Sequence, residues 1–261
     1  MDAPWRDAVA EVWALGDYAS IAPLIAAPAA RLVDSLGDGH GRSALDLGTG
    51  TGTVALALAR RGWAVHAVDV CGPLLEAARR ASEADGVVVA WHHAAMEDVP
   101  LADQSVHASV SSLGTMFALD PTVVVDEVRR CTRPGGLFAF TAVPRTGVVG
   151  EMAAVMRDYL PQAPAGTPDP FDWADDEAIR TWLSDGFDEF GSDRHVVPWT
   201  FQTPSLGIDR LFEASPLHAA AERMIPAQAA DMRRELARVL EARANGNRVP
   251  IEFTLTTATR S

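Results

Sequence analysis

The chain is 261 residues long, enough for one large α/β domain with a substantial core or for two small ones. Its 35 acidic residues outnumber 22 basic ones, every one of them arginine, and the net charge of −13 repels a phosphate backbone, so nucleic acid is excluded as the expected partner. Cys71 and Cys131 lack CxxC spacing, no basic leader precedes an apolar stretch, and no run approaches about 18 uncharged apolar residues. The expectation is a cytoplasmic protein with neither a disulfide framework nor a membrane span.

Apolar residues recur at helical spacing from Ala8 to Leu36, broken near Gly16 and Pro23, which predicts two helices ahead of the core. A short strand follows over Ser43–Leu47, and the glycine-rich run from Gly48 to Gly52 opens a helix from about Thr53 to Arg61. Trp63–Asp69 alternates as a strand does, and Gly72-Pro73 starts a helix through Arg80, with proline where a missing N–H is harmless. Val87–Trp91, Val106–Ser111 and Leu137–Val143 read as further strands. Asp120-Pro121 caps a helix through Cys131, and Arg133–Gly136 turns into the strand at Leu137. Strands alternating with helices predict a doubly wound parallel sheet. Beyond Val143, prolines 161, 164, 168 and 170 mark an excursion over the active edge of the sheet. A helix near Asp175–Leu183, a strand over Arg194–Thr203, helical sequence from Gly207 to Arg243 and a last strand over Val249–Thr257 complete the chain. No repeat or linker divides it, so a single domain over 1–261 is expected.

The most specific motif is Leu45-Asp46-Leu47-Gly48-Thr49-Gly50-Thr51-Gly52, a strand running into a glycine turn that opens a helix. Without Cβ atoms the backbone can approach a ligand, and the start of the helix offers free N–H groups. Asp69 ends the second strand 19 positions after Gly50, where a carboxylate accepts from both hydroxyls of a ribose. A dinucleotide site shares that carboxylate but needs its third glycine at position 53, which is Thr53 here; the spacing favours S-adenosylmethionine (SAM) over NAD.

These residues, with the turn Arg133–Gly136 and the run Ser111-Ser112-Leu113-Gly114-Thr115-Met116-Phe117, resemble the class I SAM-dependent methyltransferases of quinone and natural-product pathways. Val12–Tyr18 and Gly147–Met152 are similar to a bacterial branch of that group. The resemblance implies a Rossmann-like, doubly wound sheet of seven strands, five parallel and then an antiparallel C-terminal hairpin. It implies helical caps from about 5–36, 145–175 and 205–245 over the substrate site. Gly48, Thr49 and Gly50 are then expected to line the methionine moiety with Asp46 near its amino group, Asp69 to hold the ribose, Val70 to flank the adenine and Ser111 to lie beside the sulfonium. Tyr18 either closes over the cofactor or packs as a core aromatic. Where relatives often read Gly-Asp-Ala-x-x-Leu-Pro, this chain has Ala94-Ala95-Met96-Glu97-Asp98-Val99-Pro100. Ala95 thus replaces the carboxylate that meets the adenine amino group, the N–H of Met96 still reaches a ring nitrogen, and water or Glu97 takes over at the amino group. The implied function is methyl transfer from SAM to an oxygen, carbon or nitrogen of a small, apolar or aromatic metabolite. The alternative is a protein of the same fold that binds SAM or its demethylated product and catalyses another reaction, such as a cyclisation.

No Asn/Asp-Pro-Pro-aromatic motif follows the fourth strand, which argues against N-methylation of bases or amides. Neither carboxylates for Mg²⁺ nor a Cys/His cluster for zinc is present in the pattern, so no metal is expected. A base is optional where orientation supplies the rate. His93, His195 and His218 are the candidates left once His66 and His107 are assigned to strands. Trp5, Trp13, Met152, Met156, Tyr159, Phe171 and Trp173 suit either an apolar acceptor pocket or the core. The pattern carries no signature of oligomeric state.

Overall fold

The computed structural model describes residues 3–261; the side chain of Trp5 lies outside the described residues. Strands β1 (Ser43–Leu47), β2 (Ala64–Asp69), β3 (Val89–His93), β4 (Val106–Ser112), β5 (Thr132–Ala142), β6 (Phe187–Thr200) and β7 (Arg248–Arg260) form one sheet. Its order is β3-β2-β1-β4-β5-β7-β6. The first five strands are parallel, and β7 runs antiparallel to both β5 and β6. The helices are α1 (Ala3–Trp13), α2 (Tyr18–Ile21), α3 (Ala26–Leu36), α4 (Thr53–Arg60), α5 (Gly72–Asp85) and α6 (Pro121–Cys131), followed by α7 (Val148–Tyr159), α8 (Asp176–Leu183), α9 (Pro204–Ala214), α10 (Pro216–Met224) and α11 (Ala229–Arg243). No helix among the described residues is long and apolar enough to cross a membrane.

β1 reads as an almost continuous buried run because helices cover both sides of the sheet. Leu45 and Leu47 pack with Val124, Val125 and Val128 of α6, while Ala44 packs with Leu32 and Val33 of α3 and Val54 and Leu58 of α4. A third cluster holds the cap together: Met152 of α7, Ile208 and Leu211 of α9, Leu236 and Leu240 of α11, and Val249 and Ile251 of β7. Asp120 caps α6 as its sequence predicts, its carboxylate accepting from the N–H groups of Thr122 and Val123.

Several boundaries depart from the sequence reading, each for a local reason. The segment ahead of β1 holds three α-helices and a 3₁₀ turn over Ala22–Ile25 in place of two helices. α5 continues to Asp85, five residues beyond Arg80, because Gly86 takes a left-handed conformation and the N–H of Val87 closes onto the carbonyl of Ser82. That bond consumes Val87, so β3 begins at Val89 and extends to His93. Thr132 already pairs with Val106, and Arg133–Gly136 bulge opposite His107 before Leu137 pairs with Ala108. The proline-marked excursion contains α7, whose buried residues are Val148, Gly150 and Met152. β6 starts seven residues before Arg194; it is an edge strand, and its exposed acidic residues mask the alternation.

Candidate functional site

Strand order reverses between β1 and β4, which both lie in the middle of the sheet, and a crevice opens beyond the carboxyl ends of parallel strands at such a point. Here it is a cavity of about 740 Å³. Its floor is the turn after β1. The N–H of Thr49 donates to the carbonyl of Val68 at 3.0 Å, and the N–H of Gly50 donates to Oδ2 of Asp69 at 2.7 Å. The second oxygen of Asp69 accepts from the N–H of Cys71 at 2.8 Å. Each carboxylate oxygen therefore has one backbone donor, and the residue borders the cavity. Burial raises the pKa of this carboxyl, and the donors at Cys71 and Gly50 counter it only in part.

Gly50 has φ of +56°, and a Cβ placed on it would meet only the Tyr18 ring, at 3.5 Å. The ring thus lies over the loop, and it is held in turn by Trp13, whose ring stands edge-on to Tyr18 and to Phe117 at 6.1 and 4.8 Å between centroids. Burial, with the charges of Asp69 and Asp46 nearby, pushes the Tyr18 phenol up to about 12, so it stays neutral. Gly52 serves packing: its φ is +83°, and a Cβ there would come within 2.8 Å of Trp91.

Of the cofactor residues expected from the sequence, Tyr18, Gly48, Gly50, Asp69, Val70, Met96 and Glu97 all border this one cavity. Asp46, Thr49 and Ser111 do not. The Asp46 carboxylate is only 1% exposed and accepts from the Thr49 hydroxyl at 2.6 Å and the N–H of Ala55 at 3.1 Å, which ties the loop to the start of α4. Burial pushes its pKa up to about 7 despite those two bonds. The Ser111 hydroxyl donates to the carbonyl of Leu47 at 2.7 Å and accepts from the N–H of Thr115 at 3.0 Å, fastening the end of β4 to the end of β1. The wall beside it is built instead by Ser112, Leu113 and Gly114, with Leu113 at φ of +62°. Glu97 already accepts the N–H of Leu119 at 2.9 Å, and Ala95 is fully buried off the cavity wall.

The three histidine candidates separate. His93 sits at the end of β3 with Nε2 2.8 Å from the carbonyl oxygen of Val70, outside the cavity. His195 lies on β6 with its ring stacked on Phe253 at 5.2 Å, also off the wall. His218 of α10 borders the cavity. Among the aromatic and methionine candidates, Trp13, Met152, Met156 and Phe171 border it. Trp173 is core, edge-on to Phe140 and against Trp182, and the Tyr159 hydroxyl donates to Glu235. The sequence reading missed Leu24, Met224, Trp199 and Ile251, which also form the wall. Among the described residues no group of three or more His, Cys, Asp or Glu is placed to hold a metal.

A family model described as a methyltransferase domain matches residues 45–140. The chain is 31% identical over 201 residues to the uncharacterized protein Rv1403c of Mycobacterium tuberculosis, covering 77% of this chain and 70% of that one. It is 32% identical over 176 residues to the uncharacterized protein Rv1405c of the same organism, covering 67% of this chain and 64% of that protein's length. Among solved structures it resembles the YcgJ protein of Bacillus subtilis (TM-score 0.60, 17% identity, covering 89% of this chain and 97% of that one). It also resembles the (4+2) cyclase SpnF (TM-score 0.55, 20% identity, covering 88% and 80%). At those identities the likeness is one of fold.

Proposed function

We propose, from the premise that this chain belongs to one family with its mycobacterial relatives and carries the class I SAM-dependent methyltransferase fold, that it transfers a methyl group from SAM to a small apolar or aromatic metabolite in the cytoplasm. The observation that carries this reading is the continuity of one cavity, from the turn at Gly50 and the carboxylate of Asp69 to a chamber walled by Met152, Met156, Leu211 and Trp199. The residues present fit the cofactor. Asp69 retains acceptor capacity on both oxygens for a ribose, Gly50 leaves the space that any Cβ would fill, and Met96 borders the cavity beside them. When bound, SAM supplies a methyl group made electrophilic by its sulfonium. The chain's own contribution is then orientation and exclusion of water: Tyr18 covers the loop, and the apolar chamber holds the acceptor in line. The net charge of −13 supports a small molecule over nucleic acid or an anionic membrane.

The likeness to SpnF favours one second reading, a non-methylating reaction on the same fold. Titration with S-adenosylhomocysteine and incubation with methyl-labelled SAM and an extract of the source organism separate the two. Label in small organic-soluble compounds supports methyl transfer; tight binding with no label in any compound favours the second reading; and no binding removes both.

A further inference from the structure

We infer that His218 selects the acceptor, and that the acceptor is a chiefly hydrocarbon molecule bearing one neutral hydroxyl group that hydrogen-bonds to Nε2 of His218, an inference that rests on the methyl-transfer reading. Among the polar side chains on the cavity wall beyond the cofactor loop, Ser112 is paired with Thr141, Glu97 accepts from Leu119 and the Trp199 indole donates to the Leu24 carbonyl; two further groups are left. Arg157, Thr167 and Asp169 lie along the proline-marked segment, where Arg157 and Thr167 are exposed and Asp169 is paired with Arg145. Ser215 and His218 lie at the start of α10 and are partnered with each other, Nδ1 of the imidazole standing 3.0 Å from the Ser215 hydroxyl. Nε2 is buried and meets no hydrogen-bonding group among the described residues. A buried polar atom left unmet is costly, and the ring that carries it is held edge-on against Phe212 at 5.2 Å, so it has a defined place on the wall.

Chemistry narrows the partner. Burial, with the positive charge of Arg233 behind the ring, pushes the imidazole down to about 4, so it is neutral near pH 7. A neutral imidazole suits a neutral hydroxyl, which can donate to or accept from Nε2 in either tautomer; a carboxylate or phosphate would find no countercharge on the ring. So weak a base does not remove the proton of an alcohol or phenol, which makes hydrogen bonding and placement its contribution. The placement is apt. α10 packs against α1, and α9, which leads into α10, is fastened to the segment after Tyr18 by the Arg210 guanidinium donating to the carbonyl of Ser20 at 2.7 Å. His218 is therefore braced on the elements that cover the cofactor loop. His195, whose Nε2 is also unmet, has no such position because it does not border the cavity and its ring is stacked on Phe253, which does.

The test is calorimetric titration of 2-naphthol and 2-methylnaphthalene, with and without S-adenosylhomocysteine, into the wild-type protein and the His218→Phe and His218→Gln variants. The wild type is expected to bind 2-naphthol about tenfold more tightly than 2-methylnaphthalene, one hydrogen bond's worth. His218→Phe is expected to bind the two alike, and His218→Gln, which keeps a polar group near the position of Nε2, to retain the preference. A wild-type ratio near one, a preference that persists in His218→Phe, or binding of neither probe overturns the assignment. A wild-type ratio near one overturns the assignment whether or not the Phe variant folds, and where it does not fold the His218→Leu variant is read in its place. S-adenosylhomocysteine binding is scored separately: its loss from the wild type counts against methyl transfer, whereas the naphthol ratio judges His218 alone.

Discussion

Replacing Asp69 with alanine removes two kinds of interaction that different measurements read apart. In the free protein the carboxylate accepts from Gly50 at 2.7 Å and from Cys71 at 2.8 Å, and both N–H groups lose their acceptor. Each orphaned group costs about 1–3 kcal/mol when fully buried. Water entering from the cavity meets part of that loss, and removal of a carboxylate whose pKa is raised by burial offsets more. The net loss of stability is therefore smaller than the sum of two fully orphaned donors. On the ribose assignment, binding is expected to lose two charge-assisted bonds, about 1.5–3 kcal/mol, or roughly ten- to hundredfold in affinity. Calorimetry with S-adenosylhomocysteine and with its 2′,3′-dideoxy analogue isolates this second effect. The wild type should bind the analogue as poorly as the variant binds the parent, and the variant should not distinguish the two ligands. Equal penalties for the analogue in both proteins, or wild-type affinity in a folded variant, would falsify the ribose assignment.

Gly50→Val puts a branched side chain in a left-handed position facing the ligand space, so S-adenosylhomocysteine affinity should fall by more than about tenfold; a folded variant that binds normally sinks the loop assignment. Gly52→Ala instead drives a Cβ into Trp91, and thermal denaturation should show a loss of about 1–3 kcal/mol with affinity unchanged in the folded fraction; weakened binding at unchanged stability would move Gly52 into the site. Asp46, with its pKa raised from 3.8 to about 7, keeps a proton in the folded state that the unfolded chain releases, so stability should fall by a few kcal/mol as pH rises from about 4 to 7. Asp69 adds to that slope in the same direction, and Asp46→Asn should flatten its own share in denaturant titrations at several pH values; an undiminished slope refutes the assignment to Asp46. Ala95→Asp should lower stability by about 2 kcal/mol or more without tightening cofactor binding, because Ala95 is fully buried; tighter binding at an unchanged melting temperature would restore the alignment that sets this residue against an adenine amino group.

That Tyr18, Gly48, Gly50, Asp69, Val70, Met96 and Glu97 border one cavity is legible in the sequence because the motif resides in residue identity. The left-handed backbone at position 50 favours glycine, and an acidic residue at the end of β2 offers two acceptors to a diol. Asp46 and Ser111 belong to the same motifs, yet their polar atoms are spent on Thr49, Ala55, Leu47 and Thr115, pairings that depend on which strand ends lie side by side. The acceptor side is far less legible. Met156 and Tyr159 are three residues apart on α7, and only tertiary contacts send one to the cavity and the other to Glu235. His93 and His218 are the same side chain, one 2.8 Å from a main-chain carbonyl and the other bordering the cavity with a buried, unmet Nε2. Helical periodicity marks an apolar face without saying whether protein or ligand covers it.

The split in legibility follows the architecture. Residues 45–140, the stretch matched by the methyltransferase-domain model, run from within β1 through most of β5 and hold Gly48, Gly50, Asp69, Val70, Met96 and Glu97. The chamber walls come largely from outside that stretch, from α7, α9, α10 and the β6–β7 hairpin, which closes the sheet by antiparallel pairing and frees the cap helices from any role in parallel crossovers. A parallel sheet fixes its loops through hydrogen-bond register, so the cofactor turn has little room to vary. The cap is joined by side-chain packing, which accepts changes of shape as long as volume is kept. Tyr18 is where the two meet: it comes from the N-terminal segment, lies against Gly50, and belongs to a stretch tied to α9 through Arg210 and Ser20. The cap around α9 and α10 and the loop at Gly50 are thus joined through the segment that carries Tyr18, and shape changes confined to the cap leave the register that holds the loop untouched.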